Sequence, residues 1–123
     1  MGRRKVRNYK NREYYVNLFC EYFKEHTQEL LEYTAGVLGF ETPRAMRDEE
    51  MTGCWCDCGY VIISPTNKEQ YREWRLDDGY SAHLYVHNPM YDTQSTSIKE
   101  IMVNKMLLDL GLSRDFNVFT RLD

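Results

Sequence analysis

Residues 71–87 read YREWRLDDGYSAHLYVH. The fold turns on whether this stretch is a single hairpin. Tyr80 to His87 has the composition and spacing of a half-buried strand. Tyr71 to Leu76 reads as its antiparallel partner, joined through Asp77-Asp78-Gly79. A two-residue loop at Asp78-Gly79 would put Trp74 and Leu76 on the face opposite Tyr80, Ala82, Leu84 and Val86. A three-residue loop with Gly79 in the left-handed conformation removes that conflict. Leu76 then pairs with Tyr80, Trp74 with Ala82 and Arg72 with Leu84. The other face carries Arg75 opposite Ser81, Glu73 opposite His83 and Tyr71 opposite Tyr85.

The flanking sequence supplies the rest of the expected fold. A further strand over 56–64 rests on Tyr60, Val61, Ile62 and Ile63, and Ser64-Pro65-Thr66-Asn67 reads as a turn. Upstream, Tyr15, Leu18, Phe19, Tyr22, His26, Leu30, Tyr33 and Val37 recur at three- and four-residue steps. That spacing predicts a helix over 12–38, ended by Gly36 and Gly39. Thr42 as N-cap and Pro43 at the first helical position predict a short helix over 43–51. Downstream, Ser97-Ile98-Lys99-Glu100 matches a capping box and opens a helix over 98–110 that Gly111 ends. Phe116 to Leu122 is either a short edge strand or a packed tail. The expected fold is α+β, in the order α-α-β-β-β-α. Its three-stranded antiparallel sheet is covered by a long N-terminal helix and a C-terminal helix.

Charge divides the chain. Of the 16 Lys and Arg, six fall in the first twelve residues: Arg3, Arg4, Lys5, Arg7, Lys10 and Arg12. The remaining ten stand against all 19 acids, giving a charge of 10 − 19 = −9 over residues 13–123. A basic, flexible arm over 1–12 before one α+β domain over 13–123 is the expected organisation. There is no run of eighteen apolar residues and no apolar segment behind the basic start, so a membrane helix and a signal peptide are not expected. The expected setting is intracellular, with reduced thiols.

Function is less marked. No Gly-rich phosphate loop follows a strand and no Gly-x-Ser-x-Gly elbow occurs, so the chain reads as a binding protein before an enzyme. The acidic body fits a protein-binding module, in one form an inhibitor docking on a basic, nucleic-acid-binding surface of a partner protein. Asp48, Glu49, Glu50, Asp57, Glu69, Glu73, Asp77 and Asp78 are the candidates for that face. The alternative is nucleic-acid binding through Arg3, Arg4, Lys5, Arg7, Lys10 and Arg12. A third possibility lies in Cys54, Cys56 and Cys58 of CWCDCG. On a regular strand their same-face spacing of about 6.6 Å is too wide for one zinc, but a turn could gather them with a fourth ligand from elsewhere. The expectation is no cofactor, with structural zinc as the alternative. His83 and His87 would stand about 13 Å apart on a strand, too far for one metal. His83 is expected to face Glu73, and His26 to be a hydrogen-bonded core histidine.

Overall fold

The structure is a computed structural model and describes residues 10–49, 59–78, 82–86 and 96–122. Seven elements follow one another: α1 (Arg12–Leu38), α2 (Pro43–Glu49), β1 (Gly59–Pro65), α3 (Lys68–Asp78), β2 (Leu84–Val86), α4 (Thr96–Asp109) and β3 (Phe116–Leu122). The fold is α+β with a three-stranded antiparallel sheet, as expected, but helices alternate with the strands.

The hairpin over 71–87 does not exist. Tyr71 to Leu76 lies inside α3, so the pairings of Leu76, Trp74 and Arg72 with 80–84, and of Glu73 with His83, are overturned. The local cause lies just upstream. The Asn67 side-chain oxygen accepts hydrogen bonds from the backbone N–H groups of Glu69 (2.9 Å) and Gln70 (3.0 Å). That satisfies two donors that a helix start leaves open. Gln70 and Trp74, four residues apart on one helix side, are both buried, whereas Leu76 is 78% exposed. An alternating strand would have placed Trp74 and Leu76 on the same face.

The third strand comes instead from the C-terminal segment. β1 is central, in the order β2-β1-β3. β3 pairs along the whole of β1, from Gly59↔Leu122 to Pro65↔Phe116, and β2 pairs Val61↔Val86 to Ile63↔Leu84 on the other edge. Because side chains alternate, Val61, Ile63, Leu84, Val86, Phe116 and Val118 share one face. These residues belong to the main apolar core. α4 packs on β1 and β3, and α1 packs on α4. Trp74, Ala82 and Leu84 do join this core, with Trp74 arriving from α3.

Aromatic rings lock the core where α1, α3 and β3 meet. Tyr15 lies 5.6 Å from Trp74 and 5.0 Å from Phe116, and Phe19 lies 5.7 Å from Phe116. Tilted and edge-on pairs of this kind add about 0.5–1.5 kcal/mol each beyond burial.

Both ends of α1 follow their local chemistry. Asn11 accepts from the Tyr14 N–H at 2.8 Å, and Gly39 closes the helix with φ 87°. The helix is kinked at His26, where φ −125° and ψ 18° leave the helical region. The Thr27 hydroxyl bonds the Phe23 carbonyl there, a contact that bends helices. The buried face changes across the kink. Tyr15, Phe19 and Phe23 are buried before it, and Leu30, Leu31, Thr34 and Ala35 after it. Tyr33 and Val37, expected inside, are 43% and 53% exposed. His26 is a half-exposed residue bonded to Glu29 at 2.7 Å, not a core histidine. α2 begins as expected, with Thr42 Oγ1 accepting from the Ala45 N–H at 3.1 Å. α4 begins at Thr96, so Ser97 falls in its first turn rather than at the cap, and Gly111 at φ 74° ends its last turn.

Candidate nucleic-acid interface

Helix periodicity sorts the charges of α3. Lys68, Arg72 and Arg75 fall at steps of four and three, on one side. Glu69 and Glu73 fall on another, and Gln70 and Trp74 are buried. Lys68, Arg72 and Arg75 line a groove of about 310 Å³ with Tyr71, Pro65 and Thr66. All three cations are exposed, and none forms an ion pair among the described residues. Lys68 and Arg75 are about 10 Å apart along the helix axis, at 1.5 Å per residue.

Tyr71 connects this groove to the outer face of the sheet. Its ring lies 6.0 Å from His83. His83 in turn lies 6.3 Å from Tyr85 and 5.7 Å from Phe119. Tyr85 and Phe119 both pair with Ile62 of β1, on the face that points away from the core. Tyr85 is 38% exposed and Phe119 36%. Arg121, exposed, stands two residues beyond Phe119 on the same face. Burial, assisted by the positive charge of Arg121, holds the His83 imidazole below the usual histidine range. At neutral pH the ring is therefore an uncharged aromatic surface.

The start of α1 is tied to the same place. The Trp74 indole N–H donates to the Lys10 carbonyl at 3.3 Å, and Arg12 Nη2 donates to the His83 carbonyl at 3.1 Å. Residues 10–12 are thus tied to the buried side of α3 and to the residue that precedes β2. Of the arm cations, Lys10 and Arg12 are described, whereas Arg3, Arg4, Lys5 and Arg7 lie outside the described residues.

The expected acidic face is distributed over two elements. Asp48 is exposed on α2, which packs on α1; Glu69 and Glu73 are exposed on α3, which packs on β1. Glu49, Asp77 and Asp78 end these two helices. Glu50 and Asp57 lie outside the described residues. A longer acidic ridge runs along the outer side of α1, where Glu21, Glu25, Glu29 and Glu32 are all exposed. Cys54, Cys56, Cys58 and His87 lie outside the described residues, and so does the loop glycine Gly79. Cys20 is a half-buried free thiol. Among the described residues, no three His, Cys, Asp or Glu side chains are grouped as a metal site, and no helix is long and apolar enough to cross a membrane.

Two other polar features stand apart from this region. A groove of about 410 Å³ between α1 and α2 is lined by Gln28, Thr42, Arg44 and Arg47 among others. A network joins α1 to α4: the Tyr22 hydroxyl donates to Asp109 at 2.5 Å, Lys105 pairs with Asp109 at 2.9 Å, and Lys105 sits 4.9 Å above the Tyr33 ring. The hydrogen bond from Tyr22 holds the Asp109 carboxyl below the ordinary carboxylate range. Burial, then the bond to Asp109, raises the Tyr22 phenol. These groups hold one another and tie α1 to α4.

Comparison with family models, curated proteins and solved structures finds no match.

Proposed function

We propose that this protein binds nucleic acid, using the basic arm together with the groove formed by Lys68, Arg72 and Arg75. The observation that carries the reading is the seating of Lys10 and Arg12. Their bonds to Trp74 and His83 tie the base of the arm to α3, the helix that carries Lys68, Arg72 and Arg75. Two sets of positive charge that are distant in sequence are thereby linked through one helix. Cations arranged in this way neutralise backbone phosphates and release counterions, so affinity falls with salt. The overall negative charge confines this attraction to one region and disfavours broad contact.

The test is fluorescence polarisation with a labelled oligonucleotide over a salt series. Removal of residues 1–9 keeps Lys10 and Arg12 in their structural contacts, and should weaken binding and flatten the salt dependence. The substitution set Lys68→Glu, Arg72→Glu and Arg75→Glu should do the same independently. Equal affinity and equal salt slope in all three proteins would defeat the proposal.

A second reading keeps the acidic surface as the functional one. The outer ridge of α1 favours it, since Glu21, Glu25, Glu29 and Glu32 leave Lys24 as the one cation in that stretch. In this reading the chain is a protein-binding module, in one form an inhibitor, that docks on a partner's basic, nucleic-acid-binding surface. Asp48, Glu49, Glu50, Asp57, Glu69, Glu73, Asp77 and Asp78 would extend its contact area. Its signature is capture of such a partner that weakens on charge reversal at Asp77 and Asp78, or along α1. Unchanged capture would remove those residues from the contact.

A further inference from the structure

We propose that the outer face of the sheet stacks nucleobases, so that the ligand is single-stranded nucleic acid, its backbone running into the α3 groove and its bases lying on Tyr85, His83 and Phe119. This inference rests on the nucleic-acid reading above and specifies its substrate.

Large aromatic side chains on an outward sheet face need an explanation that a solvated face does not supply. Tyr85 and Phe119 flank Ile62 from the two edge strands; Ile62 is fully buried, and the two rings are what this strip of the face exposes. His83 reaches both rings and Tyr71 as well, which makes the strip continuous with the cationic groove. Among the described residues, positive charge stands on this face and in the groove that adjoins it. Arg121 stands at one end, and Lys68, Arg72 and Arg75 at the other, around Tyr71. A purely apolar partner gains nothing from that flanking charge, and a basic one is repelled by it. A single strand has what both parts require: flat bases with π faces, and phosphates held a short distance to the side. Duplex bases are already stacked on each other and cannot reach the rings. The α1–α2 groove has two arginines of its own but no ring beside it among its lining residues, so it lacks the second half of this chemistry.

The experiment compares a labelled twelve-nucleotide single strand with a duplex of the same length, at fixed salt. The wild-type protein should prefer the single strand. Phe119→Leu and Tyr85→Leu keep an apolar side chain at each position, remove the π face, and should each weaken single-strand binding about five- to hundred-fold. Duplex binding should hardly change. Phe119→Tyr should retain affinity. Unaltered thermal melting of the leucine variants establishes that folding is intact. If melting is altered, quenching of a 2-aminopurine base by the wild-type protein replaces them, and absence of quenching overturns the inference. Equal affinity for single strand and duplex, or leucine variants that bind as wild type, would also overturn it. The proposed function would still stand if the Lys68, Arg72 and Arg75 reversals abolished binding in that case. Should Phe119→Leu instead dissolve a dimer seen by sedimentation, the face belongs to a second copy and the inference fails.

Discussion

Two solvent-facing helix surfaces in this protein carry many charges and differ in what lies next to them. The outer side of α1 is an acidic ridge with water beyond it, and its half-exposed neighbours His26 and Lys105 are already engaged with Glu29 and Asp109. The outer side of α3 is divided, with Glu69 and Glu73 along one line and Lys68, Arg72 and Arg75 along another. The basic line borders Tyr71 and, through it, the ring cluster on the sheet. A charged helix face by itself says little, because exposed charge is what keeps any helix surface solvated. A charged face next to exposed rings, on a helix that bonds residue 10, is what favours the proposed class of ligand. The comparison therefore locates function by adjacency, where composition pointed to the acids.

The largest effect should come from removing what holds α3 in place. Trp74→Ala deletes a fully buried ring that touches Tyr15 and Phe116, and should cost about 3–5 kcal/mol in urea unfolding. Tyr33→Ala, on the exposed side of α1, should cost under about 1 kcal/mol. Similar losses would mean that α3 is not anchored as described.

Charge reversal should act in opposite directions on the two surfaces. Arg72→Glu with Arg75→Glu should weaken single-strand binding by about two orders of magnitude. It should also lower the salt slope by about 1.4, at about 0.7 per lost phosphate contact. Glu21→Lys with Glu25→Lys should leave binding intact or strengthen it modestly. Loss of binding from the α1 pair would reverse the assignment of the two surfaces.

A smaller effect tests the α1–α4 network. Tyr22→Phe removes the bond to Asp109 and should cost about 1 kcal/mol. The sign with pH follows from Asp109, whose carboxyl is held below its unfolded range. Its contribution is complete above the ordinary carboxylate pKa of about 3.9, and is lost as pH falls through the lower folded value. The stability difference between wild type and Tyr22→Phe should therefore shrink on acidification below about pH 4. A difference that grows there would contradict the assigned direction.

The smallest is expected at the end of α1. Gly39 has φ 87° and open space where a Cβ would stand, so Gly39→Ala meets conformational strain and no clash. A loss of about 1 kcal/mol in chemical unfolding is expected. An alanine variant as stable as wild type would show that the cap does not require glycine.

Much of the local structure was legible in the chain. The span of α1, the caps at Thr42, Gly39 and Gly111, and the core of β1 each rest on interactions within a few residues. Short-range chemistry of that kind leaves its mark in sequence. The error over Tyr71–Leu76 was also local and avoidable. Asn67-Lys68-Glu69-Gln70 has a capping residue followed three positions later by Gln, a helix-start signature that outweighs a brief alternation. The candidate site was lost with it. On a strand, Lys68 and Arg72 share a face and Arg75 takes the other, whereas on a helix the three stand together. Phe116–Leu122 was legible as an edge strand or a packed tail and is the edge strand, but only its pairing with β1 set the register that puts Phe119 and Arg121 on the outer face.

The sequence by itself determined the span of α1 and the caps at Thr42, Gly39 and Gly111, which residues are greasy enough to form one core, and that positive charge is concentrated in the first twelve positions. Those properties depend on neighbours along the chain. Tertiary structure decided that β1 is central, that Trp74 reaches the core from a helix, and that Lys10 and Arg12 bond to Trp74 and His83. These are meetings between residues some sixty to seventy positions apart, and no short-range preference encodes them. They arise because burying the apolar faces of α1, α4 and the sheet together leaves one arrangement in which the remaining polar groups still find partners or water.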